Sequence, residues 1–157
     1  MNIWKVAFLM EKYKGWKTLQ TVVVKFGGPM LATTEKIVQV AKKVIKEQGR
    51  GINLVVVVSS MTPIRQNLRQ FAAEITHEPS KRDMDALIAT GAQLTSALLA
   101  IAIQEHGGKA VSLVGWQAGI QTNEKYCNAR IDFVDNKRIE KHFELGEIVV
   151  VSGFQGI

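Results

Sequence analysis

The sequence predicts an α/β fold built on a parallel sheet. Two nearly continuous β-branched runs, Thr21–Phe26 (TVVVKF) and Ile52–Ser59 (INLVVVVS), lack the in–out alternation of a half-exposed strand. Such runs read as strands buried on both faces. A segment of helical period separates them, and the strand–helix–strand order returns further along the chain, the pattern of right-handed parallel crossovers. The 157 residues amount to one domain. With 46% hydrophobic and 22% charged residues, the balance is that of an ordinary globular chain.

The elements follow in order. Thr33 or Thr34 caps a helix running to about Gln48, in which Ile37, Val40, Ala41, Val44 and Ile45 recur at the spacing of one helical face. Gly49 supplies its stop. After the second strand, Ile64–Ile75 reads as a helix with Leu68, Phe71, Ala72 and Ile75 inward, then Thr76–Ser80 as a loop containing Pro79. A long helix is expected from about Asp83 to His106, interrupted near Gly91 and ended by Gly107 and Gly108. Ala110–Val114 is a third strand, Asn136–Leu145 a helix and Glu147–Gly153 a fourth strand.

Charge and cysteine content narrow the function. Lys and Arg outnumber Asp and Glu by 20 to 14, a net +6, and half of that excess falls within residues 1–20. No run of five like charges and no basic stripe interleaved with aromatics occurs, so no nucleic-acid partner is expected. The single cysteine, Cys127, excludes an internal disulfide framework and a multi-cysteine metal site, and fits a reducing, cytoplasmic setting. The apolar run Val6–Met10 is far shorter than the ~20 residues of a membrane span. No small-x-small cleavage site follows it. Residues 1–20 read either as an extension without a chemical role or as an amphipathic membrane-surface segment, with Trp4, Phe8 and Trp16 beside lysines.

Ligands of open parallel sheets bind beyond the carboxyl ends of the strands. The first strand ends Lys25-Phe26-Gly27-Gly28, an ammonium beside two backbone units without side chains. That suits a phosphate, and equally a tight turn carrying a surface lysine. The P-loop order G-x-x-x-x-G-K-[ST] is absent. The second strand ends Ser59-Ser60-Met61, hydroxyls that line the same mouth or form a turn and cap a helix. The third runs into Gly115-Trp116-Gln117-Ala118-Gly119-Ile120 and the fourth into Gly153-Phe154-Gln155-Gly156. Four such strand ends along one sheet edge make a cleft.

Taken together, VVVKFGG, VVVVSSM, PSKRDMDALIATGAQ, GWQAGIQT, NARI and VVVSGFQG resemble the amino-terminal part of bacterial aspartate kinases, over residues 21–157. The resemblance implies the first half of a three-layer α/β/α amino-acid kinase fold. It implies transfer of the γ-phosphoryl group of Mg-ATP to the side-chain carboxylate of L-aspartate, the entry to lysine, threonine and methionine synthesis. By resemblance Lys25 is the electrostatic catalyst, and Phe26, Gly27, Gly28 and Ser59 belong with it to the ATP-phosphate side. No metal-ligating residue is assigned.

Departures from the family pattern cluster at the substrate pocket. Pro29-Met30 stand for Thr-Ser, Arg65 and Gln66 for a Thr-Asp pair, Ala92 for the glutamate of T-G-E-Q, and Val114 for a threonine. Arg65 is able to grip a carboxylate bidentately. Losing the carboxylate opposite the substrate ammonium typically costs ~2–5 kcal/mol. Two expectations follow. In one, these residues form an incomplete aspartokinase domain without a regulatory ACT domain, inactive by itself. In the other, they form a non-catalytic module that self-associates or docks on a full-length kinase.

Overall fold

The computed structural model describes residues 20–154. The extension expected over residues 1–20 therefore lies almost wholly outside the described residues, as do Gln155 and Gly156. Six strands and four α-helices follow in order: β1 (Thr21–Phe26), α1 (Thr34–Gln48), β2 (Asn53–Val58), α2 (Thr62–Ile75), α3 (Lys81–Glu105), β3 (Ala110–Leu113), β4 (Ile120–Thr122), β5 (Ile131–Val134), α4 (Lys137–Glu144) and β6 (Ile148–Ser152).

The expected parallel sheet is present, in the order β1-β2-β6-β3, with every neighbouring pair parallel. The two central strands carry the densest apolar runs. Val56 and Val58 of β2 and Ile148 and Val150 of β6 are fully buried, as expected for strands covered on both faces. On one face they pack against α1 and α3, through Ile37, Val40, Val44, Leu99 and Ile103. On the other, Val55, Val149 and Val151 meet Ile139 and Phe143 of α4. Helices thus flank the sheet on both sides.

The outer strands are treated differently. At the β3 edge, the outward Ala110 carbonyl accepts a hydrogen bond from Gln104 Nε2 (2.9 Å). At the β1 edge, among the described residues, no such side chain is placed.

Local chemistry sets the helix ends. Thr33 caps α1, its Oγ1 accepting from the Lys36 N–H. The Thr33 hydroxyl holds the Glu35 carboxyl below its ordinary range. α2 begins two residues earlier than expected because Pro63 fits the first helical turn, where its missing N–H has no partner to lose. Phe71 and Ile75, expected inward, are 56% and 85% exposed. α2 touches the body of the protein along its Leu68–Ala72 side, and the other two apolar positions face away.

α3 runs without a break through Gly91, contrary to the interruption expected there. The glycine serves packing instead. A Cβ at position 91 would collide with the Ser60 hydroxyl and come within 3.0 Å of Leu68 Cδ1, so its absence lets α3 lie against β2 and α2. By length and composition α3 could also cross a membrane, with a mean hydropathy of 1.9 over its most apolar window. Here it packs as the central core helix between α1, β3 and β6.

Two short strands escape the sequence pattern. β4 and β5 form an antiparallel ribbon with an irregular register at Gln121 and Thr122, and every residue of β5 is exposed. The connecting loop is tied to α3 at Asp85, whose carboxylate accepts from the Cys127 backbone N–H and thiol. That contact pushes the Cys127 thiol above its ordinary pKa.

Candidate functional site

Parallel pairing brings the ends of β1, β2, β6 and β3 to one side of the sheet. Lys25 lies one residue before the end of β1, in register with Val57 of β2. Its side chain is exposed, and its Nζ sits 5.8 Å from the centre of the Phe154 ring, beyond the end of β6. Phe154 holds a positive φ of 56°. The first and fourth strand ends therefore meet, although β1 and β6 are not neighbours.

Gly27 precedes a 3-10 turn over Gly28–Leu31. The Met30 N–H returns to the Gly27 carbonyl (3.0 Å), and Lys36 Nζ donates to the Pro29 carbonyl (3.1 Å). A Cβ on Gly28 would lie 2.7 Å from the Ser60 carbonyl oxygen and 3.0 Å from Thr62 Oγ1. Glycine is required there because two backbones approach each other. Gly27 has no such constraint: a Cβ on it would meet only Pro29 Cδ, at 3.8 Å. Ser59 is buried, with its N–H donating to the Phe26 carbonyl (3.2 Å), which fastens the end of β2 to the K-F-G-G turn. The structure thus brings Lys25, Phe26, Gly27, Gly28 and Ser59 together.

Arg65 and Ala92 lie on α2 and α3. Arg65 is exposed in the first turns of α2. Ala92 is 1% exposed, with its methyl group packed in the interior. Neither stands in the K-F-G-G turn itself.

Beneath the strand ends is a layer of buried hydroxyls that the sequence reading did not single out. Thr95 Oγ1 donates to the Gly91 carbonyl (2.8 Å) and accepts from the Met61 N–H (3.1 Å). Ser96 Oγ donates to the Gln93 carbonyl (2.8 Å) and lies 2.8 Å from Ser152 Oγ. Since Ser96 has one proton, Ser152 is the donor in that pair. α3 thereby grips the ends of β2 and β6 at once. The signal was available: two adjacent hydroxyls in an otherwise apolar helix are poor helix formers that need a partner. Thr62 Oγ1, beside Gly28, is the one buried side-chain polar atom among the described residues that has no hydrogen-bond partner.

At the other end of the mouth, Gly115–Ile120 folds into consecutive turns. The Ala118 N–H bonds the Val114 carbonyl (2.9 Å), and the Ile120 N–H bonds the Gly115 carbonyl (2.9 Å). Gly119 has φ +75°, and its carbonyl accepts from the Asp135 N–H (2.9 Å).

Residues 20–157 match the model of the Amino acid kinase family. The chain belongs to that family. Within it, this kinase-family chain is similar to the aspartokinase of Geobacillus stearothermophilus, with 48% identity over 136 residues. It is similar also to aspartokinase 2 of Bacillus subtilis, at 46% over the same length. Each alignment takes in 87% of this chain and 33% of the relative, so the chain spans about a third of the length of the curated relatives it matches. Among solved structures, the aspartate kinase of Synechocystis superposes with a TM-score of 0.70 at 42% identity, over 85% of this chain and 22% of that one. E. coli aspartokinase III, at 14% identity and a TM-score of 0.67, shares the fold.

Proposed function

We propose that residues 21–157 are the phosphate-handling portion of an aspartokinase, which moves the γ-phosphoryl group of Mg-ATP onto the side-chain carboxylate of L-aspartate in the cytoplasm. The observation that supports this reading most is the convergence of Lys25, Gly27, Gly28 and Ser59 at one end of a parallel sheet. It occurs in a chain 48% identical to an aspartokinase. Phosphoryl transfer asks for positioning and charge neutralisation more than covalent chemistry. The Lys25 ammonium answers the second need by countering negative charge on the moving group. Phe26, Gly27 and Gly28 present backbone close to the phosphates, and the unpartnered Thr62 hydroxyl beside Gly28 is a polar atom that suits an oxyanion neighbour. Bound ATP would supply the phosphoryl group. Among the described residues no three His, Cys, Asp or Glu side chains gather to hold a metal, so Mg²⁺ would be the ion carried by the nucleotide.

We further infer that these 157 residues do not turn over by themselves. Two-thirds of each relative has no counterpart in them, and where the family pattern has the carboxylate that meets the aspartate ammonium, Ala92 has a buried methyl group. A module that associates with itself or docks on a full-length kinase is the alternative.

The test is ADP release in the presence of Mg-ATP and L-aspartate. It is run with the chain alone and with the separately expressed remainder of the G. stearothermophilus relative. The chain alone is expected to release none. Activity in the mixture is expected to fall by ~10²–10³ with Lys25→Ala, the effect of removing one preorganised electrostatic group. Aspartate-dependent release by the chain alone would refute its inactivity, and an active Lys25→Ala mixture would refute the role of the lysine. No activity in the mixture, with the two pieces co-purifying, would favour the docking module.

A further inference from the structure

We propose that the chain carries a second ligand site, distinct from the strand-end mouth at Lys25, which binds a nucleotide by stacking its base on Trp116 and holding its phosphates with Arg138 and Lys141. A groove of about 310 Å³ lies between the Gly115–Ile120 turns and α4, lined by Trp116, Gln117, Gly119, Asp135, Lys137, Arg138 and Lys141. Lys25 is on one outer strand of the sheet, and the groove's Trp116 wall follows the opposite outer strand, three strand spacings or ~14 Å away.

The charge of the groove is one-sided once its pairings are followed. Three cations face one carboxylate. Asp135 is already engaged, with one oxygen accepting from the Lys137 N–H (3.2 Å) and the other 3.5 Å from Lys137 Nζ. Glu140, on the same helix, accepts from the Asn136 amide (2.8 Å). That leaves Arg138 and Lys141, both exposed and, among the described residues, in no salt bridge. A guanidinium matches phosphate oxygens in a planar, two-pronged way, and an ammonium adds a point charge beside it.

Trp116 decides the rest of the ligand. The residue is 58% exposed, which is costly for so large an apolar side chain unless something covers it. It stands on a turn whose backbone is fastened by the Asp135 N–H to Gly119 carbonyl bond (2.9 Å), which sets where the ring is presented. A flat ring over an indole with phosphates on adjacent cations is the chemistry of a nucleotide. The volume sits at the lower end of small-molecule pockets, which fits one nucleotide and not a macromolecular strand or a peptide.

The chain has three tryptophans. A Trp4→Phe/Trp16→Phe double variant leaves Trp116 as the sole indole, so its emission reports the groove. The probes are ADP, adenosine and inorganic pyrophosphate, without divalent cation. ADP is expected to change Trp116 emission saturably and to bind at least ~10-fold more tightly than adenosine or pyrophosphate, because only ADP uses both halves of the site. Adding Arg138→Ala/Lys141→Ala is expected to weaken ADP by roughly 10- to 100-fold, with thermal unfolding unchanged because both side chains are exposed. Adding Lys25→Ala is expected to leave the titration as it was. No saturable response at millimolar ADP overturns the proposal. So does equal affinity for pyrophosphate, or loss of the response with Lys25→Ala, which would place the binding in the strand-end mouth.

Discussion

Leu99→Ala lowers the unfolding free energy by about 3–5 kcal/mol, the upper part of the range for a buried leucine. Leu99 is fully buried on α3, in the cluster that joins α1 to β2 and β6. Its neighbours there include Val56, Ile103, Ile148 and Val150, most of them β-branched and stiff at χ1, so little of the vacated space is refilled. A small domain is stable by only ~5–15 kcal/mol, and one such change consumes much of it. The check is urea unfolding: the midpoint falls while the slope stays the same. Leu94→Ala, at a 42% exposed position on the same helix, is the control and costs within ~0.5 kcal/mol. A Leu99→Ala loss below ~1 kcal/mol would mean that α3 is not the helix on which the core is assembled.

Gly119→Ala acts more locally, and costs about 3 kcal/mol. A residue with a Cβ at φ +75° pays ~1–2 kcal/mol for the left-handed conformation alone. The remainder comes from collision of the new Cβ with the Asp135 carbonyl. That carbonyl is backbone, in a residue whose own N–H is bonded to the Gly119 carbonyl, and it has no rotamer by which to yield. Gly146→Ala separates the two effects: φ there is +71°, but nothing lies within 4 Å of the added Cβ, so only the ~1–2 kcal/mol remains. Hydrogen exchange reads the outcome. Amides of Ile120–Thr122 lose protection with Gly119→Ala while those of Val149–Val151 keep theirs. Equal effects of the two substitutions would show that the turn shifts freely.

Much of this molecule was legible before its structure. The runs TVVVKF and INLVVVVS announce strands because consecutive β-branched residues, with no in–out alternation, need cover on both faces. The rule that parallel sheets bind ligands at their carboxyl ends points to the strand ends, and the family resemblance is what proposes Lys25, Phe26, Gly27, Gly28 and Ser59 among them. Strand order was not legible, since the insertion of β6 between β2 and β3 depends on how the crossovers pack. Phe71 and Ile75 misled because helical period shows that a face exists without saying what covers it. Gly91 looked like a break because its reason is Ser60, a neighbour 31 residues earlier in sequence. β4 and β5, three and four residues long with an irregular register, are too short to show alternation. The Trp116 groove was hidden for the same reason: its two walls are sequence-distant, and the ribbon brings them together.

The β1 edge, where no described side chain takes up the outward backbone groups, has a kinetic consequence. In β1 the carbonyls of Gln20 and Phe26 accept from Asn53 and Ser59, so by the two-residue period of a strand Val22 and Val24 also point their backbone groups at β2. Thr21, Val23 and Lys25 point theirs the other way. At the opposite edge, Gln104 occupies the matching outward carbonyl of Ala110. From the described residues, the amide protons of this one strand are expected to alternate, exchanging slowly at 22 and 24 and fast at 21, 23 and 25. Any polypeptide that extends the sheet from that side would slow the fast set and leave the slow one as it was, and the docking of an added strand becomes a clock that can be read residue by residue.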